Sequence, residues 1–211
     1  RRRCQKNKKI NMALIGICGG TGSGKSTLAD KLEAHYKNKG VVKILSDSYY
    51  KNHIHLNFEE RSKINFDHPN AIDFELLLKN IKDLKKYKKV KDPIYSYKTH
   101  RRLKKGNIIS AKEIIILEGI HIFCDKRIVD LIDFGIFIDL DEKIRLKRRL
   151  NRDIKFRGRS KNEVEKRFYN MCKPMHENYI NPSKKHAHKV LSGEKISMEK
   201  ILNLISKKII C

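Results

Sequence analysis

Tryptophan is absent, only 4 residues are proline, and 24 Asp+Glu face 49 Lys+Arg in a chain of 211 residues. With so little proline and only 11 glycines, the chain is neither collagen-like nor a Pro-rich or Gly/Ser linker. The shortage of acid leaves a formal net charge of +25. Such a balance suits phosphate-bearing partners, although alone it speaks only of solubility and attraction. No apolar run approaches the roughly 20 residues of a membrane-crossing helix. The 5 cysteines (Cys4, Cys18, Cys124, Cys172, Cys211) form no C-x-x-C pair and are odd in number. This argues against a disulfide framework or a zinc site and for a reducing, cytoplasmic setting. The chain opens at Arg1 and not at Met, so its native start is expected upstream. Arg1–Lys9 followed by Ile10–Cys18 imitates a signal peptide, but a glycine motif needs that apolar stretch as a strand.

Short apolar runs alternate with longer amphipathic stretches. Ala13–Cys18, Val41–Leu45, Ile114–Leu117 and Phe134–Ile138, with a weaker Ala187–Leu191, read as strands of a parallel sheet covered on both faces. Helices are predicted at Lys25–Tyr36, Asp73–Tyr87 with Asp73 as N-cap, Asp141–Lys155, Lys161–Tyr179 with a break near Pro174, and Ile196–Lys207. The alternation predicts an α/β fold with a mainly parallel five-stranded sheet flanked by helices. Val90–Tyr97 and Asn107–Ser110, around a basic turn Lys98–Gly106, read as a β-hairpin off the main sheet. The basic segment 1–11 is expected to be disordered. Residues 12–211 are expected to form one domain, with a hairpin insertion at about 90–110 and a lid at about 153–172.

Gly19-Gly20-Thr21-Gly22-Ser23-Gly24-Lys25-Ser26 matches G-x-x-x-x-G-K-[ST] between a predicted strand and a predicted helix. Glycines let the backbone curl so that successive N–H groups face phosphate oxygens, and the helix adds its positive end. Lys25 is placed to reach the β- and γ-phosphates of ATP, Ser26 to ligate Mg²⁺, and Thr27 to flank the α-phosphate. A P-loop does not name a reaction. Asp47 follows the second strand, where the carboxyl ends of parallel strands face the ligand crevice. It is either an acceptor for an alcohol nucleophile or a turn former. Glu118 ends an apolar strand and is a candidate for holding Mg²⁺; the alternative is a solvent-facing carboxylate. Arg145, Arg149 and Arg152 share a helix face and call for an anion to offset them, and Arg157-Gly158-Arg159 places two guanidinium groups around a flexible glycine. A solvated face or a nucleic-acid surface is the other reading of these arginines.

From about Ala13 to Leu191 the chain resembles the uridine–cytidine kinase family of P-loop kinases. The resemblance rests on the P-loop, Leu45-Ser46-Asp47-Ser48-Tyr49-Tyr50, Asn65-Phe66-Asp67-His68-Pro69, Pro93-Ile94-Tyr95-Ser96-Tyr97-Lys98-Thr99-His100, Glu118-Gly119-Ile120, and Arg152-Asp153 leading to Arg157-Gly158-Arg159. It implies transfer of the γ-phosphoryl of ATP to the 5′-hydroxyl of uridine and cytidine, in pyrimidine salvage. Asp47 matches the family's general base, and Asp67 the carboxylate that binds the ribose hydroxyls, with Arg149 nearby. Tyr95 and His100 match the pair that reads the pyrimidine edge, and Tyr97 an aromatic wall. Arg152, Arg157 and Arg159 match phosphate-side and lid arginines, with the hairpin covering the nucleoside. A homotetramer is a further implication of the resemblance.

Ser96, Arg167, His188 and Leu191-Ser192-Gly193 depart from the family pattern, mainly at the lid and the adenine end. His35, His53, His55, His176, His186 and His188 are expected to be solvated or packed. Two other functions are weighed: a related P-loop kinase for another alcohol, of the phosphoribulokinase or pantothenate kinase type, and an inactive basic protein that binds nucleic acid. Tyr95 and His100 favour a base over the first. Retention of Asp47 and Lys25 argues against the second, so no nucleic-acid partner is expected.

Overall fold

The computed structural model describes residues 12–209, and the segment 1–11 expected to be disordered lies outside them. Seven strands run β1 Ala13–Gly19, β2 Val41–Leu45, β3 Val90–Ser96, β4 Arg101–Ile109, β5 Ile114–Glu118, β6 Phe134–Asp139 and β7 Lys189–Ser192. Eight helices run α1 Lys25–Tyr36, α2 Phe58–Ser62, α3 Phe74–Lys85, α4 Lys126–Val129, α5 Glu142–Arg157, α6 Lys161–Arg167, α7 Lys173–Met175 and α8 Met198–Ile209.

Five strands form a parallel sheet in the order β2-β5-β1-β6-β7. Every residue of β1 and β5 is buried, as expected of central strands roofed by helices on both faces. One face packs Leu77, Ile81 and Leu84 of α3 against Leu14, Ile115 and Leu117. The other packs Leu28 and Leu32 of α1, with Ile201 and Ile205 of α8, against Ile15, Ile17 and Ile116. Asp73 caps α3 by accepting the Leu76 N–H at 3.1 Å. The register sets Glu118 opposite Ile17 on one side and Leu45 on the other. The ends of β1, β5 and β2 therefore lie together, and the chain leaves them into the P-loop, Gly119 and Asp47 respectively.

Three boundaries differ from the expectation. The hairpin β3–β4 pairs Ser96 with Arg101, so its turn is only Tyr97–His100 and most of the supposed basic turn is strand. The lysines and arginines of β4 lie on a ribbon outside the core, so no apolar alternation marked them as strand. No break occurs at Pro174. The helix passes through two π-helical segments, Phe168–Cys172 and His176–Ile180, on either side of α7. Wide π turns accommodate the missing N–H and the ring. Finally, β7 begins at Lys189; the residue before it, His188, is exposed yet tied to β6, its Nδ1 accepting the Gly135 N–H at 2.9 Å and its ring stacking on Phe134.

Candidate active site

The P-loop curls through three glycines of positive φ, Gly19 (147°), Gly22 (75°) and Gly24 (101°), and a β-carbon at Gly22 would meet the Arg145 carbonyl oxygen at 2.5 Å. No side chain caps the start of α1 at Gly24, so its first N–H groups face the cradle. Lys25 is buried beside them. Gly22, Gly24, Lys25, Ser26 and Thr27, with Arg148 and Gly193, line a cleft of about 1090 Å³. Arg148 ties that cleft together, donating from Nη1 to the Ser23 carbonyl at 3.3 Å and from Nη2 to the Gly193 carbonyl at 3.2 Å.

The Ser26 hydroxyl lies 3.1 and 3.0 Å from the two carboxylate oxygens of Glu118, to which it donates. Burial pushes the Glu118 carboxyl up from its usual range, while Lys25 and the Ser26 hydroxyl pull against that rise. This all-oxygen pair, one hydroxyl and one carboxylate, fits Mg²⁺, which binds one or two protein oxygens and completes its shell with phosphates and water.

A second cleft, of about 650 Å³, opens beside the first. It gathers residues from five separate regions: Thr21 and Lys25 of the P-loop, Asp47 after β2, Asp67, Tyr95, Tyr97 and His100 of the hairpin, and Arg149, Arg152, Arg157 and Arg159 of α5 and the turn after it. Tyr97 Oη donates to Asp47 Oδ2 at 3.1 Å. The Arg157 guanidinium lies 4.4 Å above the Tyr97 ring. Burial, reinforced by Asp47, holds the Tyr97 phenol well above its ordinary range, so it remains a donor.

At the far end, Tyr50, Phe66, Tyr95 and His100 form an aromatic wall. Phe66 stacks on His100 with centroids 5.2 Å apart and planes 9° from parallel. Tyr50 meets Tyr95 edge-on at 5.1 Å. The Tyr95 hydroxyl is buried and makes no hydrogen bond within the protein. His100 sits at φ 52° in the hairpin turn. Buried Arg61 of α2 holds that turn by donating to the Thr99 carbonyl at 3.3 Å. Burial lowers the His100 pKa, and the positive field of Arg159, Arg167 and Arg61 adds to the effect. Asp67 faces Arg149 Nη1 at 3.7 Å and accepts from the Cys172 thiol at 3.1 Å.

The arginine face of α5 divides. Arg145 turns beneath the P-loop and donates from Nε to the Leu140 carbonyl at 3.1 Å. Arg149 reaches forward to donate to Thr21 Oγ1 at 3.1 Å. The anion that their crowding requires is Asp153, 1% exposed and ringed by Arg152 Nε at 2.7 Å, Arg149 Nε at 3.3 Å and Arg157 Nη1 at 3.4 Å. Arg159 pairs instead with Glu163 at 2.6 Å. Asp153, Tyr50, Phe66 and Arg148 join the site without a role of their own having been expected from the sequence. The i, i+4 spacing of Asp153 from Arg149 and Arg157 was the available signal.

The model of the phosphoribulokinase / uridine kinase family matches residues 14–197. This chain belongs to that family. It is 48% identical over 174 residues to a uridine kinase of Clostridium tetani, covering 82% of this chain and 83% of that one. It is 41% identical over 177 residues to a uridine kinase of Bacillus subtilis, covering 84% of each. In fold alone it is similar to the phosphoribulokinase of Rhodobacter spheroides: TM-score 0.61 at 13% identity, over 87% of this chain and 70% of that one. In this chain the pocket under the hairpin opens beside the five-stranded parallel sheet.

Proposed function

We propose that this chain transfers the γ-phosphoryl group of ATP to the 5′-hydroxyl of uridine, and of cytidine, to give the nucleoside monophosphate. The observation that carries the reading is the position of Asp47. Its carboxylate shares one cleft with Lys25 of the P-loop and with the aromatic wall of Tyr95, Phe66 and His100. A flat base fits against that wall, where the Tyr95 hydroxyl and the His100 ring read its edge. Asp67 accepts the ribose hydroxyls, steadied by Arg149. The 5′-hydroxyl then points back towards Asp47, which orients it and takes its proton.

Lys25 and the guanidinium groups of Arg152, Arg157 and Arg159 stabilise charge that moves towards the leaving ADP. Ser26 and Glu118 would hold Mg²⁺, which would supply positive charge to offset that of the phosphates. The hairpin and the segment at about 153–172 act as covers that exclude water, so that the phosphoryl group passes to the alcohol and not to solvent.

A coupled ADP-release assay with a panel of nucleosides and sugar phosphates, beside a control lacking acceptor, tests the reading. ADP release is expected with uridine and cytidine and not with ribulose 5-phosphate or pantothenate. Asp47→Asn is expected to lower kcat by about a thousandfold, the order of a general base's contribution, with ATP binding retained. Near-normal phosphorylation of uridine by that variant would remove Asp47 from its role.

A further inference from the structure

Helix α2 is short, Phe58–Ser62, yet well tied. Asn57 Oδ1 accepts the Glu60 N–H at 3.0 Å, and Glu60 Oε2 accepts the Asn57 N–H at 2.7 Å, which completes a capping box. The last two residues of α2 each bond to a different cover of the acceptor cleft. Arg61 is 5% exposed. Its guanidinium donates from Nε to the Thr99 carbonyl at 3.3 Å and from Nη1 to the Leu56 carbonyl. The Thr99 carbonyl belongs to the peptide that leads into His100, whose φ of 52° is a conformation that L side chains adopt at a cost. Arg101 adds a second tie between the hairpin and the loop before α2, donating from Nη2 to the Ile54 carbonyl at 3.3 Å. One residue beyond Arg61, the Ser62 carbonyl accepts from Arg167 Nη1 at 3.2 Å. Arg167 is the last residue of α6 and lines the cleft.

Arg61 and Ser62, neighbours in one turn of helix, thus hold both covers of the pocket. We propose that α2 is a clasp between the hairpin and α6, in which Arg61 positions the turn that carries His100 and Arg167 positions α6 over the acceptor. A guanidinium bonded to a carbonyl is among the stronger hydrogen bonds, and buried Arg61 makes two of them where little water competes. When the hairpin turn shifts, Arg61 draws α2 with it, and the Ser62 carbonyl passes the shift to Arg167. The pocket therefore closes around an acceptor as one unit and not one wall at a time. None of these bonds involves the P-loop, so the nucleotide end stands outside the clasp. The inference rests on the reading of the hairpin cleft as the uridine site.

Steady-state kinetics of the purified chain test it, with uridine varied at saturating ATP and ATP varied at saturating uridine. Arg61→Ala and Arg167→Ala are each expected to raise the uridine KM about tenfold, the scale of one hydrogen bond from a charged donor, with kcat and the ATP KM within about twofold. Substitutions that act independently multiply, to about a hundredfold for this pair; two that open the same clasp do not, and the double variant is expected to stay within about threefold of either single one. Asn57→Ala unties the capping box while Asn57 itself bonds to neither cover, and it is expected to raise the uridine KM about threefold. Combined with Arg167→Ala, it gives the same comparison if Arg61→Ala fails to fold. Multiplied losses in the double variant, an unchanged uridine KM in Arg167→Ala, or equal losses for ATP and uridine would overturn the proposal. An unsubstituted protein that leaves uridine unphosphorylated would overturn the reading of the cleft, and this proposal with it.

Discussion

Tyr97 Oη donates to Asp47 Oδ2 at 3.1 Å, so a residue of the hairpin turn holds a carboxylate that belongs to the end of the central sheet. The bond joins the two parts of the site, one facing the phosphates and the other the acceptor. Tyr97→Phe keeps the ring beneath Arg157 and removes only this bond. We expect kcat/KM for uridine to fall about 10–100-fold, the scale of one hydrogen bond to a charged group. Initial-rate measurements set beside Asp47→Asn separate a group that orients the base from the base itself.

Asp153 is a buried anion among three guanidinium groups. Burial pushes its carboxyl up, but Arg152, Arg157 and Arg149 together pull it further down, to below the ordinary Asp range. Its contribution to stability is therefore complete above the unfolded pKa of 3.8 and is lost as pH falls through the depressed folded value. Asp153→Asn is expected to cost about 2–3 kcal/mol at pH 7, since it strands partly buried cations. Thermal unfolding, falling by roughly 2–4 °C per kcal/mol for a chain of this size, provides the measurement. The difference between variant and parent should shrink below pH 4.

Asp92 behaves oppositely. It accepts from Tyr49 Oη at 3.0 Å, and Asn80 Nδ2 donates to the same phenol oxygen at 2.9 Å, which anchors the base of the hairpin to α3. Burial raises the Asp92 carboxyl from 3.8 to about 6. The folded state then binds the extra proton, so this group's contribution is present below 3.8 and is lost as pH rises to about 6. Asp92→Asn keeps an acceptor for Tyr49 and has no charge to bury. Urea midpoints should show it about 2 kcal/mol more stable than the parent at pH 7, with the gap closing towards pH 4.

Glu118→Gln removes the carboxylate that accepts from Ser26. The Mg²⁺ concentration for half-maximal velocity should rise about tenfold or more, as is typical when a group of a metal site is altered, while the uridine KM stays within about twofold. A Mg²⁺ titration at saturating nucleoside checks this. An unaltered Mg²⁺ requirement would leave Ser26 without its partner in the role.

The sheet and the phosphate end were legible because their information is local. β1, β5 and β6 are apolar until their last residues, β2 is interrupted only by Lys43, and the P-loop is a contiguous string whose spacing dictates its shape. Asp47 and Glu118 stand where strands end, so topology alone carries them to the crevice. The hairpin was harder: Arg101–Gly106 pairs as strand on a ribbon with no apolar face, leaving no period to read. Asp153 looked like one more charge on a charged helix, and its importance arises only when Arg149, Arg152 and Arg157 converge on it. The stack of Phe66 on His100 joins residues from a loop and a turn, a distance in sequence that no periodicity spans. Pro174 misled because a proline normally ends a helix, and only the neighbouring π turns reveal how this one is tolerated.

The two-stranded ribbon β3–β4 stands apart from the five-stranded sheet, and it carries Tyr95, Tyr97 and His100. Part of the pocket wall therefore sits on a piece of backbone separate from the strands that aim Lys25, Asp47 and Glu118. Exchanging the ribbon for that of a kinase with another acceptor is expected to alter acceptor preference while leaving those strands untouched.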